Sequence, residues 1–162
     1  SAASDVYKRQ EEGRAELTPR DFGILMHRVF ENAATTDEIY TAIEAMTQDG
    51  VLDEKEAPRL RELVEKALAD PVTAEWFGGR WQVVRNENEI ILPGSGTTRR
   101  PDRVMIRGTR AVVVDYKFGG REPERYRRQV REYLALLRQM GYTETEGYLW
   151  YVKLGRIEKV EE

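Results

Sequence analysis

Cysteine is absent from the 162 residues, and histidine occurs once, at His27. The first absence excludes disulfides, thiolate zinc sites and any cysteine-ligated iron–sulfur cluster, and it accords with a reducing cytoplasm. The second excludes a multi-histidine metal centre, so any metal must be held largely by carboxylate oxygens. No apolar run approaches the length of a membrane span and no signal-peptide pattern opens the chain, so no membrane association is expected. The stretch also lacks a Gly-x-x-x-x-Gly-Lys-Ser/Thr phosphate loop, which leaves out a nucleotide-driven motor. Low-complexity linkers and internal repeats are missing as well.

What is present is an ordinary globular composition, 40% hydrophobic and 34% charged, long enough for one domain with a real core. The net charge of −3 hides an uneven distribution. Residues 99–138 hold 12 Lys and Arg against 5 Asp and Glu, a balance of +7, while the rest hold 14 against 24, a balance of −10. A basic block inside an acidic chain can hold phosphates, although a solvated helix face has the same composition.

Periodicity divides the chain in two. Residues 1–17 carry no useful pattern and read as a leader, disordered or non-native, ahead of a single domain over residues 18–162. Its helical part, residues 18–78, opens at Thr18-Pro19 and carries Phe22, Leu25, Met26, Val29 and Phe30 at helical spacing. Thr35 to Glu38 and Asp53 to Glu56 read as capping boxes for two more helices. A sheet core, residues 80–160, follows. "WQVVRNENEIIL", "DRVMI", "AVVVDYK", "GYLWYV" and "RIEKV" read as strands, with one helix from about Pro123 to Met140 between the third and fourth. That helix carries Tyr126, Val130, Tyr133, Leu134 and Leu137 as its apolar stripe. Trp76, Trp81 and Trp150 sit in or beside apolar runs and read as core.

The chemistry concentrates at two aspartates. "AVVVDYK" is apolar until its acid, as in a central strand buried on both faces, and strand ends of this kind are where open α/β sheets place ligands. Alternation puts Asp115 and Lys117 on one face and Tyr116 on the other. A short Gly108-Thr109 turn makes "DRVMI" an antiparallel neighbour, so Asp102 falls opposite Asp115. Two carboxylates at one place repel unless a cation or a shared proton relieves them, and a hard divalent metal suits such oxygen ligands. The plainer alternative is a structural α/β domain whose acids cap strand ends and whose lysine makes a surface ion pair. That alternative requires no metal affinity.

Pro101-Asp102 followed one hairpin later by Asp115-Tyr116-Lys117 is similar to the PD-(D/E)xK nuclease signature. Gln129 and Tyr133, a Gln-x-x-x-Tyr element, and Gly23-x-x-x-His27 resemble the RecB/AddA-like branch, as in the C-terminal nuclease domain of UvrD/Rep-type helicases. The resemblance spans roughly Thr18 to Val160. It implies a restriction-endonuclease-like α/β fold, a mixed sheet core with flanking helices and a helical N-terminal half. It further implies Mg²⁺ or Mn²⁺ at Asp102 and Asp115, with the Tyr116 carbonyl and His27 or Glu87 as further ligands, Glu89 being the alternative to Glu87. Lys117 would act in the chemical step. Gln129 and Tyr133 would lie beside the DNA, and Arg121, Arg125 and Arg128 would contact its phosphates.

The implied function is a bacterial, cytoplasmic exonuclease domain acting on single-stranded DNA or duplex ends in double-strand break repair. Its helicase motor would lie in the same parent chain. A catalytically inactive nuclease-like domain that binds DNA or a partner protein is the rival reading.

Overall fold

The computed structural model describes residues 16–86, 100–117 and 122–162, and the chain divides into two compact units between Gly79 and Arg80. Among the described residues, no helix is long and apolar enough to cross a membrane.

In the first unit, the four helices among the described residues each follow a capping side chain or a capped turn. Thr18 and Asp21 exchange bonds at the head of α1 (Pro19–Glu31): Thr18 Oγ1 accepts from the Asp21 N–H at 3.2 Å, and Asp21 Oδ2 accepts from the Thr18 N–H at 2.9 Å. Thr35 caps α2 (Thr36–Gln48), although Glu38 reaches one residue further back, to the Ala34 N–H at 2.6 Å. Asp53 and Glu56 make their reciprocal pair in the turn leading into α3 (Glu56–Ala67). Asp70 Oδ1 accepts from the Val72 N–H at 2.8 Å to open the short α4 (Pro71–Trp76). The periodic apolar positions are the buried ones: Phe22, Leu25, Met26, Val29 and Phe30 on α1, Ile39, Ile43 and Met46 on α2, Leu60 and Val64 on α3. The Phe30 and Phe77 rings meet at 5.4 Å.

The second unit is a five-stranded sheet in the order β1 (Val83–Asn86), β2 (Arg103–Arg107), β3 (Arg110–Lys117), β4 (Glu144–Tyr151), β5 (Arg156–Val160). Among the described strands only β3 and β4 are parallel; the other neighbours are antiparallel. The parallel pair needs a crossover, supplied by α5 (Pro123–Gln139). Of the expected first strand, Val83–Asn86 forms β1, and residues 87–92 lie outside the described ones.

The placement of α5 is set by one residue. A Cβ built on Gly147, in the middle of β4, would run into Val130 Cγ1 and lie 3.1 Å from Leu134 Cδ1. Glycine there lets the helix settle onto the sheet. Val130, Tyr133, Leu134 and Leu137 then bury against Ala111, Val113, Leu149, Tyr151 and Val160. Trp81 departs from the core expectation. It is half-buried, with the guanidinium groups of Arg110 and Arg107 5.0 and 5.7 Å from its ring centre, so arginine rather than apolar packing covers it. Trp76 and Trp150 are core.

Candidate active site

The last ladder pair between β2 and β3 is Arg103 with Val114, so the next step places Asp102 opposite Asp115. There the side chains take over from the ladder. Asp115 Oδ1 accepts from the Asp102 N–H at 3.0 Å, and Asp102 Oδ2 accepts from the Tyr116 N–H at 2.6 Å. Each acid thus ties one oxygen to the other strand, which holds two carboxylates side by side at a cost in mutual repulsion. Burial raises that cost, because Asp115 is 2% exposed.

Lys117 answers it. Its Nζ lies 3.8 Å from Asp115 Oδ2, within ion-pair range but beyond a hydrogen bond, and the residue is 8% exposed. Val113 belongs to the cluster under α5, so alternation along β3 places Asp115 and Lys117 on that same face. Tyr116 points the other way, where its ring meets Trp150 edge-on at 5.6 Å. The first turn of α5 closes over the lysine: Nζ sits 4.3 Å from the centre of the Tyr126 ring. One turn further on, Gln129 is half-buried, and its buried Oε1 accepts no hydrogen bond from a described residue. Tyr133, the next turn along, is part of the cluster beneath.

The structure therefore brings Asp102, Asp115 and Lys117 together, with Tyr116 beside them and the α5 residues above. His27 belongs to the first unit, on α1, where its Nδ1 lies 2.6 Å from Glu31 Oε1. Glu87, Glu89 and Arg121 lie outside the described residues. Arg125 and Arg128 are exposed on α5, and Arg125 pairs with Glu122 at 2.9 Å.

Three of the arginines in residues 99–138 pair with acids from outside that window. Glu158 and Glu124 hold Arg127, and these hydrogen bonds keep its guanidinium protonated beyond its already high ordinary value. Arg110 pairs with Glu146 at 2.8 Å, Arg138 pairs with Glu162, and Arg131 donates to the Glu161 carbonyl. Of the arginines on α5, Arg128 alone makes no hydrogen bond or ion pair with a described residue.

A divalent cation is tested by its donor set. Two carboxylates held opposite each other, with a strand-end carbonyl beside them, suit a hard oxygen-seeking ion. Among the described residues no group of three or more acidic or histidine side chains gathers, so two acids are the side-chain set seen.

Two residues of the site escaped the sequence reading. Tyr126 reads there as core stripe, and only its place in the first turn after Lys117 hints at more. Tyr151 is the β4 partner of Lys117 in the parallel register and is fully buried; its hydroxyl makes no hydrogen bond with a described residue. Nothing in "GYLWYV" marks it out.

A mixed sheet whose central strand ends in a paired acid and a lysine, crossed by a helix, defines a restriction-endonuclease-like α/β fold. The chain matches the PD-(D/E)XK nuclease superfamily over residues 3–162 and belongs to it. No curated protein matches the chain.

Proposed function

We propose that the chain is a divalent-metal-dependent deoxyribonuclease, the exonuclease domain of a helicase–nuclease that processes DNA ends in double-strand break repair in a bacterial cytoplasm. The observation that carries the reading is the placement of Asp102 and Asp115 at the end of β2 and β3, where Asp115 accepts from the Asp102 N–H and Asp102 from the Tyr116 N–H, with Lys117 on the same face as Asp115. Ordinary strand caps do not need a second carboxylate alongside, nor a nearly buried lysine. The Gln129-to-Tyr133 element on α5 and His27 on α1 support the RecB/AddA-like branch and, with it, a UvrD/Rep-type motor in the parent chain.

Asp102 and Asp115 would hold Mg²⁺ or Mn²⁺, with the Tyr116 carbonyl and His27 or Glu87 as further ligands. When bound, the cation neutralises phosphate charge and makes a water acidic enough to attack. Lys117 cannot be a ligand while protonated. Its ammonium stabilises the negative charge that builds on the phosphoryl oxygens, or orients the attacking water. Gln129 presents an amide toward the nucleic-acid strand. Arg128, and Arg125 once phosphate displaces its exposed Glu122 partner, bind backbone without reading sequence.

Degradation of end-labelled single- and double-stranded DNA with Mg²⁺, Mn²⁺ or EDTA tests the reading. The expected result is metal-dependent cutting that begins at ends. Binding without cutting under every condition would transfer the assignment to an inactive nuclease-like domain. Loss of neither ion binding nor activity in Asp115→Asn would overturn the site itself.

A further inference from the structure

Three strands reach the end of the sheet that carries the acids. Lys117, the last residue of β3, stands beside Tyr151, the last residue of β4, which stands beside Arg156, the first residue of β5. Residues opposite each other in a ladder project to one side, so the three form a row on the face that also carries Asp115. Neighbouring strands are about 4.8 Å apart, which sets β5 roughly 10 Å from β3. Tyr151 is buried, whereas Arg156 is exposed, with its guanidinium 4.5 Å from the centre of the Tyr151 ring. The ring thus fixes an accessible cation over the end of the sheet instead of leaving it on a free-swinging side chain.

The acid on the same face of β5 is Glu158, two residues on, and Arg127 from α5 claims it. The Arg127 Nε and Nη2 groups donate to Glu158 Oε1 at 3.1 and 2.6 Å. Arg156 itself makes no hydrogen bond or ion pair with a described residue, in contrast to Arg110, Arg127 and Arg138. A guanidinium that lies over a ring keeps its fork of N–H donors for a phosphate. We infer that Arg156 is a substrate-contact residue: it binds a phosphate flanking the one at Asp102 and Asp115, so that the nucleic-acid strand leaves the acids across the ends of β4 and β5. This deepens the nuclease reading and rests on it for the place of the strand at the acids, but the contact requires binding and not cutting.

The test compares Arg156→Gln, Arg156→Lys and Lys159→Gln. Lys159 is exposed on the same strand but projects to the opposite face, so its variant loses the same charge away from the row. Binding of a fluorescein-labelled oligothymidylate is followed by anisotropy in EDTA over a range of KCl, so that neither metal nor activity enters the readout. Arg156→Gln should bind about tenfold more weakly, the loss of one charge-assisted hydrogen bond. Its slope of log affinity against log salt should shrink by about 0.7, the share of one phosphate on a single strand. Arg156→Lys should keep the slope, and Lys159→Gln should match the parent in both measures. A parent that does not bind the oligonucleotide, an unchanged slope in Arg156→Gln, or an equal loss in Lys159→Gln overturns the assignment. A parent that cuts with no metal tried yet shows the Arg156-dependent slope would sink the nuclease reading and leave the contact standing. Cutting by the parent, with an Arg156→Gln slope equal to the parent's, would sink the contact alone.

Discussion

Aspartates accept backbone hydrogen bonds in both units, to different ends. Asp21, Asp53 and Asp70 each face the first turn of a helix, where the carboxylate meets orphan N–H groups and the positive end of the helix dipole. Asp102 and Asp115 accept the same kind of bond at the end of two strands, where no helix dipole assists. The first three are separated from one another along the chain and satisfy a local need. The last two are set opposite each other, and a nearly buried lysine is drawn in beside them. A backbone hydrogen bond to a carboxylate is therefore no sign of chemistry. The sign is a second carboxylate that the fold did not need.

The sharpest way to break this contrast is to remove charge while keeping the acceptor. Asp102→Asn and Asp115→Asn retain an oxygen for the Asp102 and Tyr116 N–H groups, so both proteins should fold with a melting temperature near the parent's. Cutting and calorimetric Mn²⁺ binding should fall to background. Asp70→Asn, the same change at a helix cap, should alter neither. If the two classes of aspartate respond alike, the site reading is wrong.

Lys117 comes next in size. Alanine would remove the packing of the lysine stem as well as the ammonium, so Lys117→Met, which keeps the stem, is the cleaner variant. Its cutting rate should drop by about 10²–10³ with DNA binding largely retained. A rate equal to the parent's would leave only the two acids supported.

Gly147→Ala probes the positioning of α5 rather than the charges. The added methyl meets Val130, so stability should fall by about 1–3 kcal/mol on denaturant unfolding. Because Tyr126 and Gln129 ride on the same helix, cutting should suffer even where the protein remains folded. The smallest expected effect is at a helix cap: Asp70→Ala should cost about 1 kcal/mol and leave the cutting rate of the folded protein unchanged.

Charge is where order along the chain and neighbourhood in space differ most. Counting charges in residues 99–138 gives a basic block, with a solvated helix face as the alternative. In space, Glu146, Glu158 and Glu162, all outside that window, come to Arg110, Arg127 and Arg138. Strand β4 lies beside β3, β5 beside β4, and α5 packs over this part of the sheet, so acids distant in sequence become neighbours of the arginines. The proposed phosphate binding by the helix would consequently rest on Arg128, and on Arg125 through an exposed pair that is easily exchanged. Trp81 misled for a related reason: its apolar sequence neighbours do not reveal that arginines from the β2–β3 hairpin will cover its ring.

What the sequence determined by itself was the local structure and the identity of the candidate site's two acids and lysine. Helix starts follow from Thr18, Thr35, Asp53 and Asp70, because a cap bonds within three residues of itself. The strand pattern, the Gly108 turn and the acid at the end of "AVVVDYK" place Asp102 opposite Asp115, because a tight hairpin leaves little choice of register. Tertiary structure alone decided what surrounds Lys117. The ring of Tyr126, the buried hydroxyl of Tyr151 and the approach allowed by Gly147 arrive from a helix and a strand joined to β3 through a crossover. Their spacing in sequence carries no record of that meeting, since packing depends on shape complementarity between elements and not on any short-range bond.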